Sequence, residues 1–168
     1  MKIPPLFIGR FQPFHLGHLD AVQQILARED FFYIGIGSAE NARETENPYT
    51  CGERYEMICA ALNAAGIDPK HYAILMARDV NDNNAWVAHL ERVFPQFGDV
   101  YIMDSPLAKK LFRAHGAHTV FNLEKRINVS ATEVRRRMKL GENWQELVPA
   151  AVAEAIEKIG YPVTISTN

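Results

Sequence analysis

The sequence predicts an α/β protein built on a doubly wound parallel sheet, and three observations carry that prediction. Apolar runs of strand length alternate with helical patterns along most of the 168 residues, as parallel βαβ units require. Helix-start and helix-stop residues punctuate that alternation at regular places. Polar side chains gather just after the apolar runs, where the carboxyl ends of parallel strands open a crevice.

Strands are expected at Leu6–Gly9, Phe31–Gly37, Tyr72–Met76, Val100–Met103 and Thr119–Leu123. Helices are expected near Leu19–Arg28, Glu53–Ala65, Trp86–Phe94 and Pro106–Ala114. Thr50-Cys51-Gly52-Glu53 and Ser130-Ala131-Thr132-Glu133 both fit the reciprocal capping box. Ser105-Pro106 supplies a cap followed by proline at the first helical position. Gly66, Gly116, Gly141 and Gly160 stand where helices should stop. Beyond Leu140 the pattern is helical over Pro149–Ile159, then a short edge strand at Val163–Ile165. The expectation is one domain over residues 1–168, its sheet core ending at about residue 140 and a small helical extension following.

Apolar residues make up 48% and charged residues 23%, with a net charge of −2, ordinary values for a globular chain. No basic tract is present, which argues against a nucleic-acid partner. A small anionic substrate held by a few Arg and His residues is fully compatible. Cys51 and Cys59 are the only cysteines; their spacing matches no zinc pattern and Cys59 falls on a helix, so reduced thiols in the cytoplasm are expected. No apolar stretch of targeting or membrane-spanning length occurs, and no membrane partner is expected.

The densest chemistry lies in Gly9-Arg10-Phe11-Gln12-Pro13-Phe14-His15-Leu16-Gly17-His18-Leu19. A strand feeds a turn bearing Arg10, His15 and His18, and the turn opens a helix. Unpaired amides and a partial positive charge at a helix N-terminus suit phosphate. Gly17 is expected to let a ligand approach the backbone, and both imidazoles to join Arg10 as a cationic cluster. The bland alternative is a helix start whose histidines only cap or pack. A second cluster is Ser130-Ala131-Thr132-Glu133-Val134-Arg135-Arg136-Arg137. Ser130 and Glu133 read as reciprocal caps and an arginine run is often solvated, yet Arg135 on the second turn has the reach to meet a phosphate. A third is Asp79-Val80-Asn81-Asp82-Asn83-Asn84-Ala85-Trp86, whose bland reading is a capping turn before a core indole. Phe7, Phe11 and Phe14, on or near a buried strand, read as core.

Together these pieces resemble the nucleotidyltransferase superfamily with its His-x-Gly-His signature, and more narrowly the archaeal-type nicotinamide mononucleotide adenylyltransferases. Further matching segments are Ile36-Gly37-Ser38-Ala39, Asn47-Pro48-Tyr49-Thr50 with Gly52-Glu53-Arg54, Trp86-Val87-Ala88-His89, and Thr132 to Met138. They run in family order over nearly the whole chain. The resemblance implies a Rossmann-like fold and transfer of AMP from ATP to nicotinamide mononucleotide, giving NAD and pyrophosphate. It implies His15, His18, Arg10 and Arg135 as catalytic residues, and Gly9, Phe11, Gly17, Val129, Ser130 and Thr132 as the ATP phosphate site. Ser38, Asp79, Asn83 and Trp86 would bind nicotinamide mononucleotide, with Asn84 an adjacent rival to Asn83. Mg²⁺ would be held mainly by substrate phosphates, and the protein would form a symmetric homo-oligomer, often a hexamer in relatives. Ala131 stands where many relatives carry serine or glycine, and Asp104-Ser105-Pro106 where archaeal relatives show Gly-Asn-Pro. Asn41-Ala42-Arg43-Glu44 lacks their Ser-His. The alternatives are a superfamily transferase acting on pantetheine phosphate or using CTP, and a non-catalytic sensor of NAD or ATP. A dehydrogenase is disfavoured because no Gly-x-Gly-x-x-Gly follows the first strand.

Overall fold

Five short runs of apolar, largely β-branched or aromatic residues form the strands: β1 (Leu6–Gly9), β2 (Phe32–Ile36), β3 (Tyr72–Met76), β4 (Val100–Ile102) and β5 (Val120–Asn122). A computed structural model describes residues 2–103 and 105–160 of the chain. The edge strand expected at Val163–Ile165 and the charge of Asp104 both lie outside the described residues. The strands pair in the order β3-β2-β1-β4-β5, all parallel. The chain winds outward from β1 to β3, then restarts on the other side of β1 with β4. That reversal is the topological switch expected of a doubly wound sheet.

The helices are α1 (Leu16–Leu26), α2 (Cys51–Ala64), α3 (Trp86–Val93), α4 (Pro106–His115), α5 (Ala131–Leu140) and α6 (Ala150–Ile159). Thr50 and Glu53 form the full capping box of α2. Ser105 caps α4 by accepting from the Ala108 amide, with Pro106 behind it. Gly116 and Gly141 end α4 and α5 at φ 79° and 68°, a left-handed conformation that glycine adopts without a Cβ penalty. Two expectations need correction. Helix α1 begins at Leu16, three residues before the expected start at Leu19. At α5 only half of the expected box forms: Ser130 accepts from the Glu133 amide, while the Glu133 carboxylate engages Arg136 and Arg137 instead.

Contacts divide the chain into two compact units. The first comprises Met1–Arg10, Ala21–Ala39 and Pro69–Glu124, and holds the sheet with α3 and α4. Its core gathers Leu6 and Ile8 from alternate positions of β1 with Val100, Ile102, Leu90, Phe94, Phe97 and Phe112. Val87, Leu90 and Phe94 recur at helical spacing and so present one apolar stripe. The second unit comprises Phe11–Asp20, Glu40–Asp68 and Lys125–Asn168. There Met57, Ile58, Ala61 and Leu62 of α2 are buried, as are Val152, Ala153 and Ile156 of α6. Helices α2 and α6 pack together. Among the described residues no helix is long and apolar enough to cross a membrane.

Candidate functional site

The start of α1 explains the spacing of the two histidines. His15 is the N-cap and His18 the third helical residue. The His18 amide donates to Nδ1 of His15 at 3.3 Å, and the His15 amide donates to Nδ1 of His18 at 3.1 Å. This is a capping box made of imidazoles in place of serine and glutamate. It requires a spacing of three residues, and it settles the tautomer. Each Nδ1 is an acceptor, so each proton sits on Nε2.

The rings stack at 3.6 Å between centroids with planes 22° apart. Phe11 meets the His18 ring edge-on at 4.8 Å and Phe14 lies 5.3 Å from it. Both phenyl rings are fully buried, as the sequence pattern predicts for core residues. Burial, reinforced by Lys125, pushes the His15 pKa down to about 3. Burial, with His15 as second cause, holds His18 well below the ordinary histidine range. The expectation of a cationic pair is therefore corrected: in the free protein both imidazoles are neutral Nε2–H donors. Stacked this closely, two positive rings would repel strongly.

Gly17 also has a steric reason that the sequence does not show. A Cβ there would lie 3.1 Å from Cε1 and Nδ1 of His15 and 3.2 Å from a methyl of Val129. The absent side chain makes room for the catalytic-candidate ring, and Val129 closes the other side. Gly17→Ala should displace the His15 ring by a few tenths of an ångström and lower turnover about tenfold, because misplacement of about 1 Å costs about 10²-fold. Steady-state kinetics beside a thermal melt will check this; an unchanged kcat removes the steric account.

Arg135 sits on the second turn of α5, and its side chain is 6% exposed. Its Nη1 donates to the Gln12 carbonyl at 2.9 Å. Its Nη2 donates to Glu46 and, at 3.4 Å, to Thr132 Oγ1. The Gln12 amide in turn brackets the Tyr49 backbone: Nε2 donates to the Tyr49 carbonyl and Oε1 accepts from its amide, both at 2.9 Å. The Tyr49 hydroxyl donates to Met138 Sδ on α5 at 3.6 Å. One buried network thus ties the histidine turn to α5. The second unit brings together His15, Gly17, His18 and Val129 directly, and links Arg135 to them through Gln12. Ser130 and Thr132 lie at the start of the same helix. Arg136 and Arg137 are committed elsewhere: Arg136 pairs with Glu133 and Glu142, and Arg137 with Glu133 and Glu146.

Sequence reasoning missed Gln12, Tyr49 and Glu46. Gln12 is 1% exposed, and burial of its amide is not legible in the sequence, which shows only a polar residue before Pro13 in the turn.

The remaining candidates belong to the first unit. Gly9 ends β1, its carbonyl accepting from the Gly37 amide at 2.9 Å. Arg10 follows, exposed. Ser38, just past β2, is buried and holds φ 48°, a conformation rare for a residue with a side chain. Asp82 caps the short turn Asn83–Ala85 by accepting from the Asn84 amide at 2.9 Å. Asp79 and Asn83 are exposed and Trp86 is half-buried, its indole meeting Phe112 edge-on at 5.5 Å. An anchored but partly open indole is able to stack on a planar ring.

Residues 6–137 match the cytidylyltransferase-like family. The chain is 43% identical over 155 residues to a nicotinamide-nucleotide adenylyltransferase of Pyrococcus horikoshii, covering 92% of this chain and 82% of that protein. It is 45% identical over 154 residues to the protein of the same description from Methanolobus tindarius, covering 91% of this chain and 87% of that one. Among solved structures, the fold is similar to a bifunctional NMN adenylyltransferase/ADP ribose pyrophosphatase of Francisella tularensis, with a TM-score of 0.76, 23% identity and 94% of this chain covered. A second structure of that description, complexed with AMP and a manganese ion, gives a TM-score of 0.73 and 24% identity. The chain spans half the length of each of these two structures. The chain belongs to the cytidylyltransferase-like family and, within it, to the nicotinamide-nucleotide adenylyltransferases.

Proposed function

We propose that the chain transfers AMP from ATP to the 5′-phosphate of nicotinamide mononucleotide, forming NAD and releasing pyrophosphate. A mononucleotide phosphate oxygen attacks the α-phosphorus, the bond to the bridging oxygen of the β-phosphate breaks, and pyrophosphate leaves with that electron pair. The nucleophile is already an anion, so no general base is needed. What the protein must supply is alignment and relief of the charge that grows on the leaving group.

The observation that carries this reading is the imidazole capping box, which fixes two stacked rings with both protons on Nε2. Neutral Nε2–H donors bind a polyphosphate without first needing a proton, and a nearby polyanion raises an imidazole pKa as its charge builds. Arg135 supplies a permanent charge in a bidentate fork. On this reading Gly9, Phe11, Gly17, Val129, Ser130 and Thr132 line the ATP phosphates, and Arg10 assists His15, His18 and Arg135. Ser38, Asp79, Asn83 and Trp86 take the mononucleotide, the indole facing the cationic nicotinamide ring.

The side chains grouped around Ser130 and Arg135 are mostly N–H and O–H donors, which suit phosphate oxygens better than a cation. Mg²⁺ therefore fits as a passenger on the ATP phosphates, where it would neutralise part of their charge. Two free thiols on α2 go with a cytoplasmic setting, and the small negative net charge with small-molecule partners rather than nucleic acid. A symmetric homo-oligomer is the assembly proposed.

The test is dinucleotide formation with ATP and Mg²⁺, comparing nicotinamide and nicotinate mononucleotides on the wild type and Trp86→Ala. NAD should form, with the nicotinamide substrate preferred. Trp86→Ala should raise its KM about tenfold, within the range of a lost cation–π contact, and leave the KM for ATP unmoved. No product from either mononucleotide would overturn the reading.

A further inference from the structure

We propose that the first unit carries a transition-metal site formed by Glu91, His115 and His118, selective for borderline divalent cations such as Zn²⁺. Glu91 lies on α3, His115 is the last residue of α4, and His118 follows the left-handed turn at Gly116. That turn brings the second histidine back beside the first. Nε2 of His118 is 3.0 Å from Glu91 Oε1, and Nε2 of His115 is 3.4 Å from Oε2 of the same carboxylate. One ligand atom from each of the three residues lies within 4.8 Å of the others. A tetrahedral ion with ligands at about 2.0–2.1 Å places them about 3.3 Å apart. The two histidine contacts, one to each oxygen of Glu91, are already near that value, and rotation of the Glu91 carboxylate with the His115 side chain brings one oxygen and both nitrogens to it.

The surroundings of His118 mark a built site rather than a chance meeting of surface groups. Its Nδ1 lies 2.7 Å from the Gly98 carbonyl. A histidine that donates from Nδ1 to a backbone carbonyl turns Nε2 outward as a ligand, the arrangement that orients metal-binding imidazoles. The ring stacks on Phe97 at 4.6 Å and meets Phe112 edge-on at 5.7 Å, and the side chain is 7% exposed. Its aim is therefore set by the core.

Ligand chemistry selects the ion. Two imidazole nitrogens and one carboxylate suit zinc-class cations, whereas Mg²⁺ prefers oxygen alone. Three protein ligands leave a fourth position for water. The bound ion would fasten α3 to the end of α4, and α3 begins with Trp86, which rests on Phe112 of α4. This site is separate from the magnesium carried by ATP and does not depend on the proposed reaction.

The experiment uses the whole chain, stripped with EDTA and titrated with ZnCl₂ calorimetrically and with Co²⁺ by visible absorption. Wild type should bind one Zn²⁺ per chain with micromolar or tighter affinity, and Co²⁺ should give ligand-field bands of a low-coordinate site. At a hundredfold excess of Zn²⁺ over Kd the melting midpoint should rise by about 5–10 °C. Glu91→Gln and His115→Ala should each weaken binding at least about tenfold and abolish the rise, while Mg²⁺-dependent NAD formation stays at the wild-type rate. His118 is left in place because its ring supports Phe97. Zn²⁺ binding as tight in both variants as in wild type would locate the ion elsewhere and overturn the proposal. So would the lack of saturable binding by wild type, and two variants provide for the case in which one fails to fold.

Discussion

His18→Asn should lower NAD formation by about 10²–10³-fold, the usual cost of removing one donor aimed at developing charge, while the protein still folds. An asparagine oxygen can stand near the place of Nδ1 and accept the His15 amide, so the helix cap survives. What disappears is the Nε2–H. The substitution therefore separates the structural half of this residue from its chemical half, which alanine would remove together. Loss of ring contact with Phe11 and Phe14 should cost about 1 kcal/mol, or roughly 2–4 °C for a chain of this size. Steady-state kinetics and a melt decide the matter; near-wild-type turnover would leave His18 as a cap alone. The pH dependence of stability supplies a second readout. With the His15 pKa at about 3 in the folded state and near 6.5 when unfolded, the unfolded chain binds the proton first as pH falls. Stability from this pair is complete above about pH 6.5 and is lost as the pH drops towards 3. His18→Asn should flatten that decline.

Arg135→Ala should reduce kcat/KM for ATP by about 10²–10³-fold, and Arg135→Lys should recover little of it. A lysine offers one compact charge and cannot divide two donors between the Gln12 carbonyl and an anion in a planar fork. Stability should change far less than activity. Glu46, the carboxylate partner, is 61% exposed and rehydrates when the guanidinium is gone, so the principal loss is the bond to Gln12, about 1 kcal/mol. An unchanged ATP dependence would move the role to another cation. Arg136 and Arg137 are poor substitutes. Their hydrogen bonds hold the Glu133 pKa down to about 2, Arg136 being the larger cause, and those same bonds occupy them.

The sheet was legible because β1 and β3 are unbroken apolar runs, and their observed limits match the expected ones. The α1 start was hidden for a chemical reason: imidazoles at the first and last positions of His15–His18 perform a task normally signalled by serine and glutamate. At α5 the familiar pattern misled, since two adjacent arginines, Arg136 and Arg137, take the Glu133 carboxylate from the backbone. Which arginine of the run turns inward follows from Gln12, which lies 123 residues away, and no local pattern carries such information. The same holds for Glu91 with His115 and His118, whose meeting depends on the reversal at Gly116 and on how α3 lies beside α4.

Glu46 gives the proposed chemistry a kinetic character. Because the guanidinium of Arg135 already has a carboxylate companion, an arriving nucleotide swaps one anion for another instead of meeting a naked cation. Much of the attraction is thereby cancelled in advance. ATP should dock with moderate rather than extreme tightness, and pyrophosphate, once made, should depart as the glutamate returns to its place.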